Sequence, residues 1–129
     1  MKKIFTALTI LAVLAVSGLA LDRKVLTCTT NPTNAIAPVT DSIATIRGYI
    51  EEIVIDVVTA GTTGDISIVA TSDISTVAPV ILAVTNNCGA DVIIYSSGEY
   101  PICGETITMT VTNASRTNVQ FRAIIKYEK

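Results

Sequence analysis

Two stretches near the C-terminus decide the fold, Thr106-Ile-Thr-Met-Thr-Val-Thr112 and Val119-Gln-Phe-Arg-Ala-Ile-Ile-Lys-Tyr127. In the first, Ile107, Met109 and Val111 alternate with Thr106, Thr108, Thr110 and Thr112. In the second, Val119, Phe121, Ala123, Ile125 and Tyr127 alternate with Gln120, Arg122 and Lys126. A repeat of two is that of a β-strand, whose successive side chains point to opposite faces. With Asn113-Ala-Ser-Arg116 as a turn between them, the two are expected to pair as an antiparallel hairpin with one dry and one wet face.

Upstream, strand-like runs recur between turn signals at intervals of about 8–12 residues, the spacing of a sandwich or small barrel. Asp65–Thr71 places Ile66, Ile68 and Ala70 on one face; Pro79–Thr85, Asp91–Tyr95 and Glu99–Cys103 are further strands. Ala60-Gly-Thr-Thr-Gly64, Thr71-Ser-Asp-Ile-Ser75, Asn86-Asn-Cys-Gly89 and Ser96-Ser-Gly98 are turns. The stretch from Ile43 to Asp56 is two-sided. Ile43, Ile46, Ile50, Ile53 and Val57 fit a helical stripe, but Gly48 interrupts it and Ile53–Val58 is heavily β-branched. It reads as two strands, or as one long strand bent between Gly48 and Glu52.

Composition agrees with strands. After residue 20 the chain holds three Leu (Leu21, Leu26, Leu82) against 16 Ile and 12 Val, which suits a pleated, half-buried surface and not a helix. The expected fold is therefore all-β: an antiparallel two-sheet sandwich of jelly-roll or immunoglobulin-like type with about eight strands over residues 43–129. Residues 21–42, with Asn31-Pro32 and Ala37-Pro38, are expected to form an extended arm.

Residues 1–20 have a different character. They hold 14 of the 64 apolar residues, and the other 109 residues are about 46% apolar, ordinary for a globular domain. Lys2 and Lys3 precede the apolar run Ile4–Val16, and the small residues Gly18 and Ala20 precede the charges Asp22, Arg23 and Lys24. This is the order of a signal peptide cleaved after Ala20; retained, the segment would be a hydrophobic helix that anchors the chain, with residues 4–21 in contact with a membrane. Cys28 lies too far from the apolar run, beyond three charges, to form a lipid-attachment box.

The whole chain, 129 residues with 9 Lys+Arg, 11 Asp+Glu and no His, has room for one small domain. It can hold no His-containing nucleophile pair and no His-ligated zinc site, and three Cys cannot make a four-Cys cage. A net charge of −2 lacks the basic footprint of a nucleic-acid binder. No catalytic residues, metal site or cofactor are expected, and the reading is non-enzymatic. Glu51 and Glu52, adjacent on a strand, should point to opposite faces, and Asp65, Asp73 and Asp91 sit in or beside turns without a calcium-loop pattern. Cys88 and Cys103 flank the strand at 91–95 and are the favoured disulfide, worth roughly 3 kcal/mol by chain entropy; Cys28 is then left over. The alternative keeps all three reduced. Tyr95, Ser97, Glu99 and Tyr100, within Tyr95-Ser-Ser-Gly-Glu-Tyr-Pro101, have the composition of a contact loop, because Tyr offers large area at small entropic cost.

Ile46–Val57, the Tyr100-Pro101 element, Gly104-Glu-Thr-Ile-Thr-Met-Thr-Val111 and the closing Phe121-Arg-Ala-Ile-Ile-Lys-Tyr-Glu128 resemble the small β-sandwich virion proteins of tailed bacteriophages. The resemblance covers residues 46–128. It implies a structural, homo-oligomeric role in the virion, as a capsid-decoration or fibre-type subunit that contacts itself and other virion proteins. An exported, periplasmic or cell-surface adhesion or ligand-binding module is the alternative that the leader suggests.

Overall fold

The computed structural model describes residues 22–44, 47–74 and 76–128, and for residues 95–100 and 102 the backbone alone. The leader and its expected helix lie outside the described residues. Those described form eight strands: β1 (Asp22–Thr29), β2 (Val39–Ile43), β3 (Arg47–Val57), β4 (Gly64–Thr71), β5 (Val80–Cys88), β6 (Val92–Cys103), β7 (Thr106–Thr112) and β8 (Gln120–Glu128). They build two four-stranded antiparallel sheets, ordered β1-β8-β3-β6 and β2-β7-β4-β5. Every connection except that from β4 to β5 carries the chain from one sheet to the other.

The core lies between the inner faces. Leu26, Ile50, Ile55, Phe121 and Ile125 of the first sheet meet Ile66, Ile68, Ile107, Met109 and Val111 of the second, all fully buried. The period-two pattern of β7 and β8 is as read: Ile107, Met109, Val111, Phe121, Ala123, Ile125 and Tyr127 all point inward. The expected hairpin is not formed. β7 lies between β2 and β4, β8 lies between β1 and β3, and their dry faces oppose one another across the core. The connection explains this, since residues 113–119 are longer than a tight hairpin turn and can span the roughly 10 Å between layers. Asn113 and Asn118 turn it at φ 51° and 54°. The buried Thr30 pins its far end: its backbone N–H donates to the Val119 carbonyl (2.9 Å), its hydroxyl donates to the Arg116 carbonyl (3.0 Å), and its Oγ1 accepts from the Val119 N–H (3.0 Å).

Ile43 of the two-sided stretch ends β2, and from Arg47 the stretch is one strand, β3, irregular within the expected interval. Ile50 pairs with Tyr127 and Glu52 with Lys126, which leaves Glu51 as an extra residue, a β-bulge. The bulge lets Ile50 and Ile53, three apart, both enter the core. It also breaks the strict alternation on which opposite faces for Glu51 and Glu52 were expected. The described part of the expected arm supplies β1 and most of β2, paired into both sheets, with bends and turns over 32–37 between them. Leu26 and Cys28, two apart and buried, are the apolar alternation that draws β1 in. Gly64 opens β4 against the Phe121 ring: a Cβ there would lie 3.1 Å from Cζ.

Candidate functional site

The expected contact loop is not a loop. Tyr95, Ser97, Glu99 and Tyr100 lie within β6, and the turn expected at Ser96–Gly98 is absorbed into that strand. In the ladder with β3, Glu52 faces Tyr95 and Ile50 faces Tyr100, so residues 96–99 stand against Glu51 alone. Four residues against one leave three extra at the sheet edge, and the small residues of the sequence there suit that irregularity.

The expected disulfide is also absent: Cys28, Cys88 and Cys103 are all free, the first two buried and the third exposed. The length of β6 explains it. Its start, Val92, pairs with Ile55 and its end, Cys103, pairs with Arg47. The eight intervening steps of β3 are roughly 26 Å at about 3.3 Å per residue. Cys88, just before that strand, is thus at the far end of the sandwich, well beyond the roughly 7 Å between Cα atoms that a disulfide tolerates. The Cys28 thiol faces the Val39 and Met109 carbonyls. Burial pushes it up to about 11, the Asp41 carboxylate adds to this, and a backbone hydrogen bond involving Asp41 partly offsets both.

The turn aspartates are tied into the frame. Asp65 accepts from the Asn87 backbone N–H (2.8 Å) and from the Asn113 side-chain amide (2.7 Å). These two bonds, the Asn113 amide first, hold its carboxyl below the usual range. Asp91 accepts from the Val57 N–H (3.0 Å). Among the described residues no three Cys, Asp or Glu gather in a metal-binding arrangement.

What the sheets do assemble is an apolar row on one outer face. On the outside of β1-β8-β3-β6, register aligns Val25, Ile124, Val54 and Ile93 in one row across all four strands. Val25 and Ile93 are about half exposed, while Ile124 and Val54 are partly covered. Polar pairs lie on either side of the row. Arg122 holds Asp56 through Nε (3.0 Å) and Nη2 (2.5 Å), and Lys126 is paired with Glu52. Both are direct cross-strand neighbours. Exposed ion pairs of this kind contribute about 0–1 kcal/mol each to stability. They offset Asp56 and Glu52, and Arg23 continues the second polar row beside Lys126, so the apolar row has a polar margin on both sides.

The outer face of the other sheet differs. Thr40, Ser42, Thr106, Thr108, Thr110 and Thr112 cover it with hydroxyls, with Ser42 and Thr108 bonded across strands at 3.0 Å. At one end of the sandwich, Ser72–Ile74, Val77 and Cys103–Glu105 line an open groove of about 380 Å³. Sequence reasoning named Arg122 and Lys126 but missed the row between them. Ile124 breaks the apparent polar face of β8 and was the available signal. No protein-family model matches the chain, and no curated protein matches it in sequence.

Proposed function

We propose that the sandwich is a jelly roll and that the chain is a non-enzymatic structural subunit of a bacteriophage virion, of capsid-decoration or fibre type. The observation that carries this reading is the strand order, 1-8-3-6 facing 2-7-4-5. It is the winding of an eight-stranded double Greek key, the architecture of many viral capsid domains. The resemblance of residues 46–128 to phage β-sandwich proteins supports the same reading. So does the outer face of the first sheet, whose apolar row and polar flanks suit contact with another subunit. The partners are further copies of this chain and other virion proteins.

The leader-like residues 1–20 favour a second reading, an exported surface or periplasmic binding module, and lectins use the same winding. One experiment separates the two. Quantitative mass spectrometry of purified particles is expected to find the chain at a fixed copy number per particle, and its absence would refute the virion reading. Cleavage after Ala20 together with recovery from the periplasm would establish the second.

A further inference from the structure

The strands at the four sheet edges differ in one respect. β1 opens with the charges Asp22, Arg23 and Lys24, β2 has five residues and carries Asp41, and β6 contains Pro101 and the insertion at 96–99. Charge, shortness, proline and irregularity all keep a foreign strand from adding to an edge. β5, Val80-Ile-Leu-Ala-Val-Thr-Asn-Asn-Cys88, has neither charge nor proline over nine residues. It has two irregularities: one at Asn86–Asn87, where Asn87 takes φ 52°, closes its far end, and the other, in its apolar half, works the other way. Ile68 faces Ala83 and Val69 faces Ile81, so Leu82 is an extra residue. Ile81 and Val84, three apart, are therefore both exposed, while Ala83 is buried and Leu82 packs against the core. Ile74 and Val77, in the segment leading to β5, are exposed as well.

We propose that this edge is where a second copy of the chain docks, β5 against β5 across a twofold axis. Charge selects the partner. Residues 22–128 carry 6 Lys+Arg and 11 Asp+Glu, so two copies repel unless the surfaces that meet are neutral. The 17 residues between Asp73 and Asp91 contain no charge. A twofold contact must also be self-complementary. β5 is apolar from Val80 to Val84, so an antiparallel pair of these segments sets apolar residues beside apolar residues. Ile74, Val77, Val80, Ile81 and Val84 are 38–67% exposed. Five such residues are a small share of the roughly 20–30 that one side of a standard interface uses. The contact is accordingly reversible in solution and is consolidated where many copies assemble. It rests on the assembly reading for its setting.

Sedimentation equilibrium of the full chain tests it, with Ile81→Lys, Val84→Lys and, as a control on the opposite edge of the same sheet, Thr40→Lys. The expected result is a monomer–dimer equilibrium in the parent chain and in the Thr40 variant, weakened about tenfold or more by either lysine on β5. Hydrogen exchange of the unmutated chain at low and high concentration provides a second readout, in which amides 80–84 gain protection as the dimer forms. Where a lysine disturbs the fold, as judged by circular dichroism, Ile81→Thr and the exchange measurement decide. A chain that stays monomeric up to about 1 mM, self-association that both β5 lysines leave intact, or unchanged exchange at 80–84 would each overturn the proposal. A monomer that still enters particles at fixed copy number refutes the edge contact alone; a dimer absent from particles refutes the virion reading alone.

Discussion

Phe121 and Arg122 are neighbours in β8 with opposite environments, and exchanging them separates the inner face from the outer. Phe121 is fully buried and its ring lies against Gly64; Arg122 is 43% exposed in its side chain and paired with Asp56. Phe121→Ala removes a large ring from a packed layer and costs about 3–5 kcal/mol. A domain of this size has about 5–15 kcal/mol in total, so the variant is expected to fold with a much lower urea midpoint. Phe121→Asp adds an unpaired carboxylate to the same cavity and is expected not to fold. Arg122→Asp loses one exposed ion pair and sets two carboxylates side by side, which costs about 1 kcal/mol. The chain has no Trp, so far-UV circular dichroism during urea unfolding is the assay. A cost below about 1 kcal/mol for Phe121→Ala would refute the packing of the inner face. Equal damage from Arg122→Asp would show that the outer face is buried too.

Gly64→Ala places a methyl 3.1 Å from the Phe121 ring and is expected to cost about 1–3 kcal/mol by overpacking; in Phe121→Leu the same change costs less, and strict additivity would refute the contact. Thr62 is fully buried and its hydroxyl has no partner among the described residues, so Thr62→Val is expected to stabilise the chain by about 1 kcal/mol in the same urea assay, and a comparable loss would mean that the hydroxyl is satisfied. Alkylation at neutral pH is expected to label Cys103 in the native chain and all three thiols after unfolding; a single thiol after unfolding would restore the Cys88–Cys103 bond. Because the Asp65 carboxyl is held below its ordinary value of 3.8, its contribution to stability is present above that value and is lost as pH falls through the depressed one. Asn113→Gly tolerates the positive φ and removes the larger cause, so the acid-unfolding limb followed by circular dichroism moves to higher pH; an unmoved limb would refute the link.

The all-β class and the inward residues of β4, β7 and β8 were legible because each alternates cleanly in the sequence. Where alternation fails, the reading needed the partner strand. Ile50 and Ile53 are three apart, a helical spacing in isolation, and only the register against Tyr127 and Lys126 shows the bulge at Glu51. The β7–β8 relation was illegible for a different reason. Periodicity says which face of a strand is dry but not which strand that face meets, and a seven-residue connection permits either a pairing or a crossing. Spacing likewise misled for Cys88 and Cys103: fifteen positions suit a closed loop, but a long strand carries the second cysteine to the other end of the molecule. The Val25, Ile124, Val54, Ile93 row joins four separate strands, so no window of sequence contains it.

That row and the β5 edge bear differently on assembly. A twofold contact through β5 joins two copies and then stops, because the same patch is used on both. Building a shell or fibre requires a second contact in another direction. The row lies on the outer face of the opposite sheet from the one that β5 borders, so neither surface obstructs the other. A charge placed on the row, as in Ile93→Glu, is therefore expected to leave the β5 dimer in solution unchanged while lowering incorporation into particles. Ile81→Lys is expected to abolish the dimer and lower incorporation as well. If Ile93→Glu dissociated the dimer, the two surfaces would be one interface, and the chain would lack the second contact that a subunit of a larger particle needs.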